Sequence, residues 1–256
     1  MDSILTLISP QALLLSLMVA SMAGIVKGMV GFALPMIMIS GLGSFLAPDL
    51  ALAGLILPTL ATNALQGLRH GPAAAFASLK RFGFLLGVGL GFLLVTSQMV
   101  RLLPVPLLFA IIGGPVALFC VAQILGWKAR LPGGGNRRIE AAVGAVAGSM
   151  GGLSGVWGPP FVAYLTAIDT PKAEQVRIQG VAYGLGAVAL TGAHVMSGVF
   201  TPVTAGFSAL LLIPAMIGMW LGTLVHDRID QALFRKMTLW VLLIAALNLL
   251  RRAVMA

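Results

Sequence analysis

Two short apolar segments, each following a glycine-rich break and each carrying proline, constrain this chain more than any other feature. The first break reads Gly24-Ile-Val-Lys27-Gly28-Met-Val-Gly31-Phe-Ala-Leu-Pro35, and the short segment it opens covers 32–46. The second reads Gly151-Gly-Leu-Ser154-Gly155-Val-Trp157-Gly158-Pro159-Pro160, and opens 159–168. Both sit in a chain whose other apolar runs are longer: 11–29, 50–68, 82–100, 104–126, 140–156, 174–197, 203–224 and 232–251. A spanning helix needs roughly 20 apolar residues. The chain is 59% hydrophobic and 9% charged over 256 residues. Soluble domains run near 25% charged, and so few charges could not cover a soluble fold of this length. The expectation is an all-α integral membrane protein, embedded in the lipid bilayer over most of its length.

The breaks share a frame. Gly24, Gly28 and Gly31 match Gly151, Gly155 and Gly158 at one offset, 127. The same offset pairs Gly71 with Gly198, Gly91 with Gly218 and Arg101 with Arg228. Two homologous halves follow, 1–126 and 140–256, joined by a linker at 127–139. The linker's Gly133 to Gly135 lack the lysine and hydroxyl residue of a phosphate loop, and no strand precedes them.

Topology follows from counting crossings. If each broken pair, 11–46 and 140–168, enters and leaves on one side, each half is a broken, re-entrant-like hairpin plus three transmembrane helices. Three is odd, so the second repeat is inverted. With the linker in the cytoplasm, twelve basic residues fall inside (Arg69, Lys80, Arg81, Lys128, Arg130, Arg137, Arg138, Lys172, Arg177, Arg228, Arg235 and Lys236) and three outside (Arg101, Arg251 and Arg252). That is a positive-inside bias, and it makes both termini non-cytoplasmic. The first apolar run has no Lys or Arg before Lys27, unlike a secretory signal, and is expected in the mature protein. The basic residues come singly or in pairs between apolar runs, so a net charge of +9 reads as a topology signal and not as a nucleic-acid surface.

Irregular backbone at membrane depth is tolerated only where it is buried in protein or faces water. Interrupted segments at matching positions of two halves point to a transporter's binding site. A helix that restarts there aims unpaired N–H groups and partial positive charge at what lies before it. Both short segments are too short to cross unaided, so the breaks are expected to turn back near the bilayer centre and Gly31 and Gly158 to approach each other. The candidate substrate-binding residues are Lys27, Gly28, Gly31, Asn63, Gln66, Ser154, Gly155, Trp157, Gly158 and Gln179.

Competing readings stand beside these. The pairs Gly24/Gly28 and Gly151/Gly155 have G-x-x-x-G spacing, which also packs helices. Lys27 either neutralises an anion or snorkels to the interface. Asn63 and Gln66 share a helix face; Asn63 and Gln179 either line the site or bond neighbouring helices. Trp157 walls the site or packs the core. His194 carries a coupled proton or is structural, and Arg177 is a topology residue or reaches a vestibule. Cys120 lies in an apolar run and has no second cysteine to pair with. No catalytic constellation, metal-ligand cluster or cofactor motif is present in the sequence, and the seven acidic residues lie chiefly in loops.

The stretches Ala23-Gly-Ile-Val-Lys-Gly-Met-Val-Gly-Phe-Ala-Leu-Pro35 and Gly148-Ser-Met-Gly-Gly-Leu-Ser-Gly-Val-Trp-Gly-Pro-Pro160, with Phe161 through Asp169, Pro171 and Gln175 to Gly180, resemble the TauE/SafE family of sulfite and organosulfur anion exporters. The likeness covers nearly the whole chain. It departs from the family's run of three glycines at Gly31-Phe-Ala and at Trp157-Gly-Pro. The resemblance implies secondary transport of sulfite, a sulfonate or a related small anion across the inner membrane. An anion channel of the same fold, or a non-transporting assembly protein, are the alternatives. The partners implied are the anion and the bilayer, with a homodimer allowed.

Overall fold

The computed structural model describes residues 8–97, 104–127, 131, 136–154, 158–196 and 200–255. The described residues form eleven helices: α1 (Pro10–Val30), α2 (Leu34–Leu42), α3 (Pro48–Leu68), α4 (Pro72–Arg81), α5 (Gly83–Ser97), α6 (Val105–Ile124), α7 (Arg137–Ser154), α8 (Gly158–Ala167), α9 (Lys172–Met196), α10 (Pro202–Arg228) and α11 (Gln231–Met255). Four of them, α1, α3, α10 and α11, are long and apolar enough to cross a membrane, and α4 with α5 makes a fifth if that bent pair is one span. The protein is a multi-pass membrane protein. Its helix order recurs at the sequence offset: shifted by 127, Pro10 falls on the first residue of α7, Pro48 on the first turn of α9 and Val105 inside α11.

The chain divides into two compact units, one of Met1–Ala75 with Val176–Ile229, the other of Phe76–Gln175 with Asp230–Ala256. Each draws helices from both sequence halves.

In the first unit, α1 begins on a conventional cap. Ser9 accepts from the Ala12 N–H, and Pro10 takes the first helical position, where its missing N–H costs nothing. The helix ends at Gly31, whose φ of 87° lies in the left-handed region. Ala33 follows at φ 76°, an unusual conformation for a residue with a side chain. These two residues turn the chain, and α2 runs back along α1, so that a Cβ on Gly41 would collide with the Val19 side chain. Ala20, Ala23, Leu34, Met38, Leu42, Leu55, Phe207 and Leu211 close the core of this hairpin against α3 and α10.

The length of α1 corrects one expectation. Its 21 residues cover roughly 31 Å at about 1.5 Å per residue, which is the full hydrocarbon thickness. Only the returning arm, the nine residues of α2, is short. The tip at Gly31 therefore lies about one hydrocarbon thickness from the start of α1, farther than a half-crossing arm would reach. The neighbouring helices agree. Gln66, which bonds Gly31, is three residues from Arg69, whose guanidinium pairs with Asp227 at 2.6 Å.

Glycine sets the closest contact in this unit. A Cβ on Gly24 would strike the Ala215 carbonyl, and one on Gly28 the Met219 carbonyl. Reciprocally, Gly218 faces the Ser21 carbonyl and Gly222 that of Ile25. The two G-x-x-x-G pairs let α1 and α10 touch backbone to backbone. Where α3 packs on α10, Pro58 lies inside α3. Proline removes the N–H that would have bonded the Gly54 carbonyl. The Ser208 hydroxyl of α10 takes its place, donating to Gly54 O at 3.1 Å and accepting from the Leu57 N–H at 3.0 Å.

The second unit repeats the device. Gly144 lies on the Leu85 carbonyl and Gly148 on Gly89, joining α7 to α5, and Gly113 of α6 lies on the Ala246 carbonyl of α11. Its charged side chains collect at helix ends: Arg81 pairs with Glu174 at 2.7 Å and Arg235 with Asp169 at 3.3 Å. Between residues 69 and 103 the sequence marks only 82–100 as an apolar run. The structure adds α4 before it, bent from α5 by 76°.

A candidate anion site at the tip of the first hairpin

Four buried polar side chains of the first unit, Lys27 of α1, Asn63 and Gln66 of α3 and Gln179 of α9, converge on the tip of the hairpin. Lys27 lies in the last turn of α1 and is 1% exposed. Its Nζ donates to Asn63 Oδ1 of α3 at 2.5 Å. One turn further along α3, Gln66 Nε2 donates to Gly31 O at 2.9 Å and to Val176 O of α9 at 2.5 Å. The i, i+3 spacing of Asn63 and Gln66 thus puts one amide on the lysine and the other on the turn itself. Beyond Gly31, α2 starts with no side-chain cap, so its first N–H groups add partial positive charge to the same region.

Gln179 completes the cluster. It is fully buried, and neither its amide oxygen nor its amide nitrogen has a hydrogen-bond partner. Its Oε1 lies where a Cβ on Gly31 would be, with Gln66 Nε2 3.3 Å from that position. Glycine at 31 is therefore required twice, by its backbone angle and by the amide beside it. The close approach of α9 to α3 is again glycine-made: Gly180 lies on the backbone of Gln66 and Gly67, and Gly184 faces Asn63.

Lys27 makes no ion pair among the described residues; the three pairs found involve Arg69, Arg81 and Arg235. The insertion cost of roughly 2.5–3.5 kcal/mol for an ammonium applies at the centre of a span; Lys27 lies in the last turn, where burial in protein still removes its water, and a neutral amide offsets only part of that loss. Its depth also bears on the snorkelling alternative. Snorkelling side chains reach the interface, whereas Lys27 bonds inward to α3.

The other candidates are distributed as follows. Gly28 sits against Met219 and Gly222 of α10 and serves the helix contact that seats Lys27. The Gly31 N–H, expected to face the ligand, bonds Lys27 O at 2.7 Å, so Gly31 contributes shape and not a donor. Gly158 opens α8 in the second unit. Ser154 ends α7, but its side chain, together with Gly155 and Trp157, lies outside the described residues. Sequence reasoning missed Val176, whose carbonyl anchors Gln66, and His226, whose Nδ1 lies 3.1 Å from the Met29 carbonyl. A backbone carbonyl leaves no mark in a sequence; His226 could have been noticed as a histidine one turn beyond Gly222.

No curated protein and no solved structure matches the chain. Residues 16–249 match the sulfite exporter TauE/SafE family, nearly the whole length, and the chain belongs to that family of membrane transporters.

Proposed function

We propose that the chain is a secondary transporter that exports a small sulfur-containing anion, such as sulfite or a sulfonate, across the inner membrane, and that the cluster at the tip of the first hairpin holds that anion. The observation that carries the reading is Lys27: a buried ammonium hydrogen-bonded to a neutral amide and without a carboxylate partner among the described residues. An anion supplies the missing counter-charge. Asn63, Gln66 and Gln179 orient it, and Gly31 and Gly28 keep the backbone close. The 127-residue offset gives Ser154, Gly155, Trp157 and Gly158 the corresponding place in the second half; three crossings per half support reading the halves as inverted repeats, and the basic-residue bias supports non-cytoplasmic termini. The ion pair of Arg69 with Asp227 is consistent with this topology, because it brings together two helix ends that the basic-residue bias assigns to one side. Export can run without a coupling ion: moving one net negative charge out of an interior about 100 mV negative gains about 2.3 kcal/mol.

The test is anion flux from proteoliposomes of the purified protein, comparing sulfite, sulfoacetate, taurine, sulfate and acetate. Saturable flux of a sulfur anion above that of acetate is expected. Flux that rises without saturation would make the protein a channel, and no flux for any of the five would leave it a membrane partner protein.

A further inference from the structure

The hydrogen-bonding inventory of the cluster says more about the ligand than its charge. Both hydrogens of Gln66 Nε2 are taken, one by the Gly31 carbonyl and one by that of Val176. This fixes the orientation of the amide and leaves Oε1, a buried acceptor, with no donor. Gln179 leaves a second amide oxygen without a donor, and its nitrogen without an acceptor. The lysine ammonium has three donors, of which one is used on Asn63. The cluster therefore offers donors to an anion's oxygens and, beside them in the chain's fold, two amide oxygens that only a donor can satisfy.

A ligand made of acceptors alone, such as a dianionic oxyanion or a plain alkylsulfonate, would satisfy Lys27 and Gln179 Nε2. It would leave both amide oxygens buried and unpaired. Such groups are costly, and a site built around them rejects analogues that lack the matching hydrogen. One lysine also matches a single negative charge.

Building on the transporter reading above, we infer that the site selects a monoanion carrying its own hydrogen-bond donor, an O–H or N–H near the sulfur oxyanion, and that Gln179 is the residue that reads this donor. Gln66 is committed to the backbone of the turn, whereas Gln179 makes no bond to the described residues through either end of its amide, so it is free to read the ligand.

The experiment uses the full chain in proteoliposomes, at a mildly acidic pH where hydrogen sulfite, a monoanion carrying its own hydrogen, predominates over the dianion, and two probes that differ by one hydroxyl, 2-hydroxyethanesulfonate and ethanesulfonate, each competing with sulfite flux. The hydroxylated probe is expected to compete on the order of tenfold or more better, the range that one unsatisfied buried acceptor implies. Gln179→Leu, checked for folded yield by size-exclusion chromatography, should bring the two probes to equal potency. Equal potency in the unsubstituted protein, or failure of both probes to compete, overturns the inference and leaves the transporter reading intact. A preference that survives Gln179→Leu overturns the assignment to Gln179. Absence of any sulfite flux is a failure of the transporter reading, and the inference falls with it.

Discussion

Lys27 and Asn63 stand 36 positions apart in the chain and share a 2.5 Å hydrogen bond in which the cation is the donor and a neutral amide the acceptor. The pair is buried on both sides, at 1% exposure each. A lysine held this way is positioned but not neutralised, and the distinction can be measured.

Lys27→Gln should cut anion flux roughly ten- to a hundredfold, the range expected when a hydrogen bond to a charged group is lost, with folded yield near that of the parent. Lys27→Arg should lose less, because charge is kept, but not nothing, because a guanidinium is planar and bulkier. Flux assays at matched protein content decide it. A Lys27→Gln protein with parental flux would show that the charge does not meet the anion.

The glycine contacts of α1 make a different kind of prediction. Gly28→Ala places a methyl on the Met219 carbonyl, and neither backbone can yield independently. Overpacking of this sort costs about 1–3 kcal/mol. Thermal unfolding in detergent should show a lower Tm for Gly28→Ala, and little change for Gly87→Ala, where a Cβ would meet nothing within 4 Å. Equal Tm for the two would remove the close-packing role assigned to Gly28.

These two positions also show how far the sequence could be read. The lysine in an apolar run, the amide pair at i, i+3 and the breaks that suggest a turn are local patterns, and the structure places Lys27, Asn63, Gln66 and Gln179 around one turn. The sequence could not say which of the two G-x-x-x-G roles applied, since the partner backbone at Met219 lies nearly 200 positions away. It set the tip at the bilayer centre from the shortness of the returning arm, because hydropathy marks where a helix is apolar but not that α1 continues unbroken past Lys27 to Val30. It missed α4, a short helix with polar ends that carries no long apolar run. Neither did it show that Gln66 would be held by the carbonyl of Val176, 110 positions on.

Ser208 offers a test of packing between α3 and α10. Ser208→Ala removes the donor to Gly54 O and the acceptor of the Leu57 N–H together, at a cost of about 1–3 kcal/mol for buried groups left unpaired. Restoring the helix's own donor with Pro58→Ala should make the serine less necessary. In a double-mutant cycle, the loss in Tm from Ser208→Ala should therefore be smaller in the Pro58→Ala background. Additive losses would mean that the serine does not substitute for the proline's missing N–H.

The orientation is open to a direct check. A reporter active only outside the cytoplasm, fused after Ala256, should be active, and the same reporter inserted near Gly134 should be silent. The reverse pattern would overturn the proposed orientation while leaving open whether the halves are inverted relative to each other.

The exchange of hydrogen bonds at Pro58 also bears on how the chain is made. Synthesis proceeds from the N-terminus, so α3 leaves the ribosome before Ser208, 154 positions after Gly54, exists. During that interval the carbonyl that proline leaves without a donor has no protein partner, and lipid offers none. The helix must wait in contact with water, or with the insertion machinery, until the later helix arrives. A nascent chain stalled before Ser208 should for this reason stay crosslinkable to the insertion machinery through α3, and release of α3 into the bilayer should mark the arrival of α10.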